Sequence, residues 1–126
     1  MLALMAATPK SMNFNNMDDI RRSGFQGFVA ITALRTSKCH EVPDERGVYL
    51  VLRSKKAQPV FLSQSTGGHF KGKDLTVAVN QLEKSWVENS LVLYIGKAGG
   101  TGRRVTLRSR ICLYMRFGQS ESVAHW

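Results

Sequence analysis

Three tyrosines and one arginine are the residues best suited to chemistry on a phosphate ester: Tyr49, Tyr94, Tyr114 and Arg110. Tyr49 closes the tripeptide Gly47-Val48-Tyr49, and Tyr94 opens Tyr94-Ile95-Gly96, each within an apolar run. A phenol offers one hydrogen-bond donor and an acceptor oxygen at a reacting centre. A planar guanidinium engages two phosphate oxygens at once, which lysine does not. From Leu91 to Gln119 there are six basic residues (Lys97, Arg103, Arg104, Arg108, Arg110 and Arg116) and no acidic one. Without local partners, this run is not a salt-bridged helix face. The glycines at 96, 99, 100 and 102 let the backbone approach a ligand closely. A helix starting just after them would present free N–H groups and a positive dipole end, so the segment Lys97 to Val105 reads as a phosphate cradle. It is neither of the common nucleotide loops. Gly102 is followed by Arg103-Arg104 instead of Lys-Ser/Thr, and Val105 stands where a dinucleotide fingerprint has its third glycine.

These residues need two strands and a helix to hold them. Val48 to Leu52 and Leu91 to Ile95 are short apolar runs rich in β-branched and aromatic residues, which reads as strand. Leu107 to Phe117 reads as a helix, with Thr106 as N-cap, Gly118 at the C-cap, and Leu107, Ile111 and Met115 as its buried stripe. Tyr114 follows Arg110 by one turn and shares its face. Val60 to Leu62 is expected to pair as a hairpin strand, with Pro59 at its start, and Ser63 to Lys73 to be a loop. Asp74 is expected to cap a helix bearing Leu75, Val79, Leu82 and Trp86, with Trp86 as the anchor of that helix. Upstream, Met1 to Ala7 reads as a ragged end, with Met12 or Met17 as alternative starts. Asn13 to Arg35 reads as two short helical pieces broken at Gly24 and Gly27, with Asn16 or Asp18 as cap.

The expected fold class is therefore α/β in the mixed α+β sense. A small antiparallel sheet carries the two tyrosine motifs, helices flank it, and a loop-helix is inserted between the strands. In domain terms, residues 1–44 are an N-terminal extension and 45–126 the functional domain, with an insertion over 58–90.

Composition narrows the partner. The 126 residues make one domain, and 18 Lys+Arg against 9 Asp+Glu leave a formal charge of +9. That excess points to an anionic partner, nucleic acid above all. Cys39 and Cys112 are far apart in sequence with no metal-ligand spacing, so two reduced, buried thiols in a cytoplasmic protein are expected, not a zinc or disulfide framework. His40 and His69 have no carboxylate or cysteine at useful spacing, and no metal ligand is assigned. No apolar run approaches the roughly 20 residues of a membrane-spanning helix, so no membrane partner is expected.

Taken in order, Gly47-Val48-Tyr49, Tyr94-Ile95-Gly96-Lys97-Ala98 and the stretch from Leu107 to Tyr114 resemble the three N-terminal motifs of the GIY-YIG endonuclease superfamily. That group includes homing endonucleases and the nuclease subunit of bacterial excision repair. The resemblance covers residues 45–118, interrupted by the insertion. It implies a metal-dependent endonuclease that hydrolyses nucleic-acid phosphodiester bonds, DNA before RNA. The alternative is a catalytically inactive nucleic-acid-binding module of the same fold. By the resemblance, Tyr49 and Tyr94 face each other across adjacent strands at the attacking water or scissile phosphate, one of them as general base. Arg110 stabilises charge on the phosphate oxygens, and Tyr114 takes a position often held by His or Tyr. Gly47 and Gly96 are the motif glycines. Lys97, Arg103, Arg104, Arg108 and Arg116 would neutralise flanking phosphates.

The complete family domain implies Mg²⁺ or Mn²⁺ held by a glutamate on a later helix. Glu121 is the one acid after Glu88 and lies just past the expected helix end, so no metal ligand is identified and a truncated domain is expected.

Overall fold

The computed structural model describes residues 1–5, 13–66, 69–100 and 104–117. Ten elements follow in order: β1 (Leu2–Met5), α1 (Met17–Arg22), β2 (Gln26–Val29), α2 (Ile31–Thr36), β3 (Gly47–Leu52), β4 (His69–Phe70), β5 (Lys73–Asp74), α3 (Val79–Ser85), β6 (Val92–Ala98) and α4 (Leu107–Phe117). Four strands form one antiparallel sheet in the order β2-β1-β3-β6, and β4-β5 is a separate small hairpin. The mixed α+β class with an antiparallel sheet under the two tyrosine motifs is thus what the chain adopts. Among the described residues no helix is long and apolar enough to cross a membrane.

The alternation of side chains along central strands builds two cores, one on each face of the sheet. On one face Leu2, Leu4, Tyr49 and Val51 pack with Leu34 of α2, Cys39, Val42 and the stripe Leu107, Ile111 and Met115 of α4. On the other, Ala3, Leu50 and Leu52 pack with Ile20 of α1 and with Phe25. β3 is buried along most of its length because it is covered on both faces, which explains its unbroken apolar sequence. At the sheet edge, β6 leaves Leu93, Tyr94 and Ile95 about half exposed.

The N-terminal stretch differs most from expectation. Leu2–Met5 is not a ragged end: it lies between β2 and β3 and pairs with both. Asn13 to Arg35 is not two helical pieces alone, because β2 intervenes between α1 and α2. Asn16 is the α1 cap, accepting from the Asp19 amide at 2.8 Å, and Gly24 at φ +99° turns the chain from α1 towards β2. Residues within 1–44 therefore complete the same sheet that carries Tyr49.

The insertion departs from expectation as well. Val60 to Leu62 forms no strand, and Val60 is 87% exposed, because both edges of β3 are already taken by β1 and β6. Asp74 caps no helix: it sits in β5 and accepts from the Thr76 amide and hydroxyl at 2.9 and 2.6 Å. α3 begins five residues later, and none of its residues is fully buried. Trp86 ends α3 and packs edge-on against Phe61 (5.8 Å between centroids) and under the Arg53 guanidinium (4.8 Å). No described residue of 58–90 belongs to either core cluster, so the insertion is a satellite, tied to the end of β3 by Arg53, which covers Trp86 and donates from Nε to the Ser90 carbonyl. Gly118, the expected C-cap, and Glu121 lie outside the described residues.

Candidate phosphate-binding cleft

The strand register sets the tyrosine pair. Tyr49 on β3 stands opposite Gly96 of β6, and Val51 opposite Tyr94, so the two phenols are diagonal neighbours on one face of the sheet. Their ring centroids are 6.1 Å apart with planes inclined at 43°. Gly96 makes the arrangement possible: a Cβ there would lie 2.1 Å from Tyr49 Cζ and 2.4 Å from its Oη. The Tyr49 ring thus crosses directly over the Gly96 backbone. Gly47, the other motif glycine, pairs with Ala98 at the end of the ladder.

Arg110 and Tyr114 come from α4, whose start is fixed by the segment just before β3. The amides of Leu107 and Arg108 donate to the carbonyls of Glu45 and Pro43 at 2.7 and 3.2 Å. Thr106 and Ser109 cap reciprocally: the Ser109 amide donates to Thr106 Oγ1 at 3.2 Å, and the Thr106 amide to Ser109 Oγ at 3.0 Å. Thr106 Oγ1 also donates to Asp44 at 2.6 Å. The expected N-cap is present; of the expected cradle over Lys97 to Val105, residues 101–103 lie outside the described residues. The first-turn N–H groups of α4 are consumed by residues 43–45 and by the cap, leaving none to hold a phosphate. Arg108 is drawn into the same lock, donating from Nε to the Val42 carbonyl at 2.8 Å.

Tyr49, Tyr94, Lys97, Arg110 and Tyr114 line one cleft of about 540 Å³, with Val51 and Leu93 as its apolar wall. Of its lining residues, Arg110 has its Nε buried without a hydrogen-bond partner among the described residues, as Trp86 has its Nε1 in the insertion. Most buried polar groups are satisfied within the protein, so each marks a place where an acceptor is missing. Tyr49 is 5% exposed, whereas Tyr94 is 56% exposed. Burial first, then the neighbouring Tyr94, pushes the Tyr49 hydroxyl up to about 12, with the Arg110 charge opposing the rise. Tyr49 is accordingly a neutral phenol at physiological pH, suited to donating a hydrogen bond and ill suited to acting as a phenolate base.

The other basic residues scatter. Arg104 is exposed ahead of α4, Arg116 lines a different cavity beside α2, and Arg103 lies outside the described residues. Sequence reasoning missed Leu93 as a wall residue. It lies in Leu91 to Ile95, which reads as an evenly buried strand, but the register slips between Val51 and Leu52 and brings Leu93 to the cleft. No local pattern in the sequence signals that slip. It also missed that Cys39 and Cys112, 73 positions apart, line one cavity.

No cluster of three or more His, Cys, Asp or Glu side chains that could hold a metal is found among the described residues. The cleft lining offers phenols, an ammonium and a guanidinium but no carboxylate, imidazole or thiolate. Such a set does not fit a divalent cation held by these side chains, because hard cations take carboxylate and carbonyl oxygens, and the ammonium and guanidinium here repel them. Comparison with protein-family models, with curated proteins and with solved structures returns no match for this chain.

Proposed function

We propose that this chain is a GIY-YIG-type nuclease domain whose tyrosine cleft receives a phosphodiester of nucleic acid, DNA in preference to RNA, in a cytoplasmic setting. The observation that supports it is the convergence of Tyr49, Tyr94, Arg110 and Tyr114, from three separate elements, on one cation-bearing cleft. A phosphate in the cleft meets the Arg110 guanidinium, which carries its charge into the lining. The Tyr49 hydroxyl, protonated by its surroundings, donates to a non-bridging oxygen, and the exposed Tyr94 sits where an incoming water would be oriented. Lys97 neutralises the phosphate or its neighbour along the strand. Hydrolysis builds negative charge on the phosphate oxygens, and Arg110 is placed to stabilise that charge as it develops. The metal that the family resemblance implies has no ligand set in this lining, and no step is derived through it.

The acid-free lining favours a second reading, in which the cleft binds nucleic acid without cutting it. One experiment separates the two. Supercoiled plasmid is incubated with the protein in Mg²⁺ or Mn²⁺, and binding is followed in parallel as a function of salt. The nuclease reading expects nicking that Arg110→Ala abolishes and Tyr49→Phe strongly reduces. Binding should weaken steeply with salt, and Arg110→Ala should lower the log–log slope by about 1. Nicking undiminished in both variants refutes the assigned roles. Salt-sensitive binding with no nicking under any metal selects the second reading.

A further inference from the structure

On the far side of α4 from the tyrosine cleft, Leu34, Arg35, Lys38, Cys39, Cys112, Met115 and Arg116 enclose a cavity of about 350 Å³. It contains both cysteines of the chain, each in the free thiol state. Cys39 follows α2 in a left-handed turn and is 1% exposed, while Cys112 on α4 is partly open to the cavity. The Cys112 Sγ lies 3.5 Å from the Lys38 carbonyl, the group immediately preceding the Cys39 amide. That places the two side chains against each other across the α2–α4 seam. The cavity walls carry three cations (Arg35, Lys38 and Arg116) and no acid. A partly exposed thiol in a cationic surrounding is the environment in which cysteine reacts, because the thiolate is the nucleophile.

We propose that Cys39 and Cys112 form a redox-active dithiol, closed reversibly to an intramolecular disulfide by a small anionic disulfide such as oxidised glutathione docking in this cavity. The two thiols have distinct parts. Cys112 gives up its proton and attacks one sulfur of the small disulfide, whose S–S bond breaks as the mixed disulfide forms, and the small thiolate released takes up that proton. The Cys39 sulfur then attacks Cys112 Sγ, the second small thiol leaves, and the Cys39 proton passes to it. Two protein thiols are oxidised and one external disulfide is reduced to two thiols, so atoms and electrons balance. Cys112 reacts first because it is the thiol open to the cavity, whereas Cys39 is buried. Burial, then the adjacent Cys112, pushes the Cys39 thiol up to about 12 and keeps it protonated until the second step. A volume of about 350 Å³ is within the size range of small-molecule sites. This inference is independent of what binds the tyrosine cleft.

The test uses the full chain, purified reduced and equilibrated across ratios of oxidised to reduced glutathione. Free thiols are then alkylated under native conditions and peptides are mapped by mass spectrometry. Wild-type protein is expected to lose both alkylatable thiols together and to yield a cross-linked Cys39–Cys112 peptide pair within one molecule. Cys39→Ser is expected to stop at the glutathione mixed disulfide on Cys112, and Cys39→Ala serves as the second variant, with circular dichroism reporting the fold. Cys112→Ser is expected to leave Cys39 unmodified. Arg35→Glu should slow closure severalfold with glutathione disulfide while leaving the rate with the uncharged hydroxyethyl disulfide unchanged. Retention of both thiols in folded wild-type protein at fully oxidising ratios overturns the proposal. So does cross-linking only between molecules. An equal effect of Arg35→Glu on both oxidants overturns the anionic specificity.

Discussion

Replacing Gly96 by alanine tests whether the two tyrosine motifs are one packed unit. The added Cβ would lie 2.1 Å from Tyr49 Cζ, 2.4 Å from Oη and 2.5 Å from Cε1. Ordinary carbon contacts begin near ~3.5 Å, so the ring must retreat by more than ~1 Å. Tyr49 is 5% exposed and packed among Leu4, Val51 and α4, so it cannot swing aside freely. Overpacking of this kind costs about 1–3 kcal/mol. Loss of glycine freedom in the unfolded chain offsets about 0.4–1 kcal/mol of that. The net expectation is a destabilisation of about 1–2 kcal/mol, or a fall in Tm of roughly 4–8 °C for a domain of this size. Urea denaturation followed by circular dichroism measures it, and a double-mutant cycle assigns it. Tyr49→Phe keeps Cζ in place, so Gly96→Ala should cost almost as much in that background. In a Tyr49→Leu background the ring is gone, and Gly96→Ala should be neutral or slightly stabilising. An unchanged urea midpoint for Gly96→Ala, or the same cost in the leucine background, refutes the ring-over-glycine argument.

Other consequences are as direct. The Tyr49 hydroxyl titrates near 12 in the folded chain against about 10 unfolded, so its contribution is full below pH 10 and is lost as pH rises towards 12. That loss is about 2–3 kcal/mol, and urea midpoints between pH 9 and 12 should fall less steeply in Tyr49→Phe. Thr106→Ala removes the reciprocal cap and the bond to Asp44, and should cost about 1–2 kcal/mol in the same assay. Deleting residues 1–5 removes the strand between β2 and β3, and the remaining chain should lose its cooperative unfolding transition in urea and in thermal scans.

Features with a local cause were legible in the sequence. β3, β6 and α4 announce themselves through β-branched runs, a threonine cap and a stripe at helical spacing; β3 and α4 lie within a residue of expectation, and β6 runs three residues further, to Ala98. The pairing of the two tyrosines was expected from the motif resemblance alone, and the register that makes them diagonal neighbours is a property of the ladder. What stayed hidden depends on partners remote in sequence. Leu2–Met5 has no β-branched residue and no turn signal, and its place becomes evident once β2 and β3 are seen to need a strand between them. The start of α4 looked like the free end of a phosphate cradle because nothing local shows that Glu45 and Pro43 accept the amides of Leu107 and Arg108. Cys39 and Cys112 looked unrelated for the same reason.

The central position of β1 also bears on how the chain is made. Of the four strands of this sheet, the first to leave the ribosome is the one that needs neighbours on both sides. β2 follows within about two dozen residues and can close a local pairing at once, but β3 begins only at Gly47. At roughly 5–20 residues per second, the far edge of β1 stays unsatisfied for seconds after the strand emerges. β6 then begins only at Val92, after β3 has ended at Leu52 and the insertion has been made. The nascent chain therefore passes through a stage in which an apolar edge is open to other chains, a hazard for strand-mediated aggregation. Slow translation downstream of Val29 would lengthen that stage, so the codon usage of residues 30–52 becomes a determinant of soluble yield.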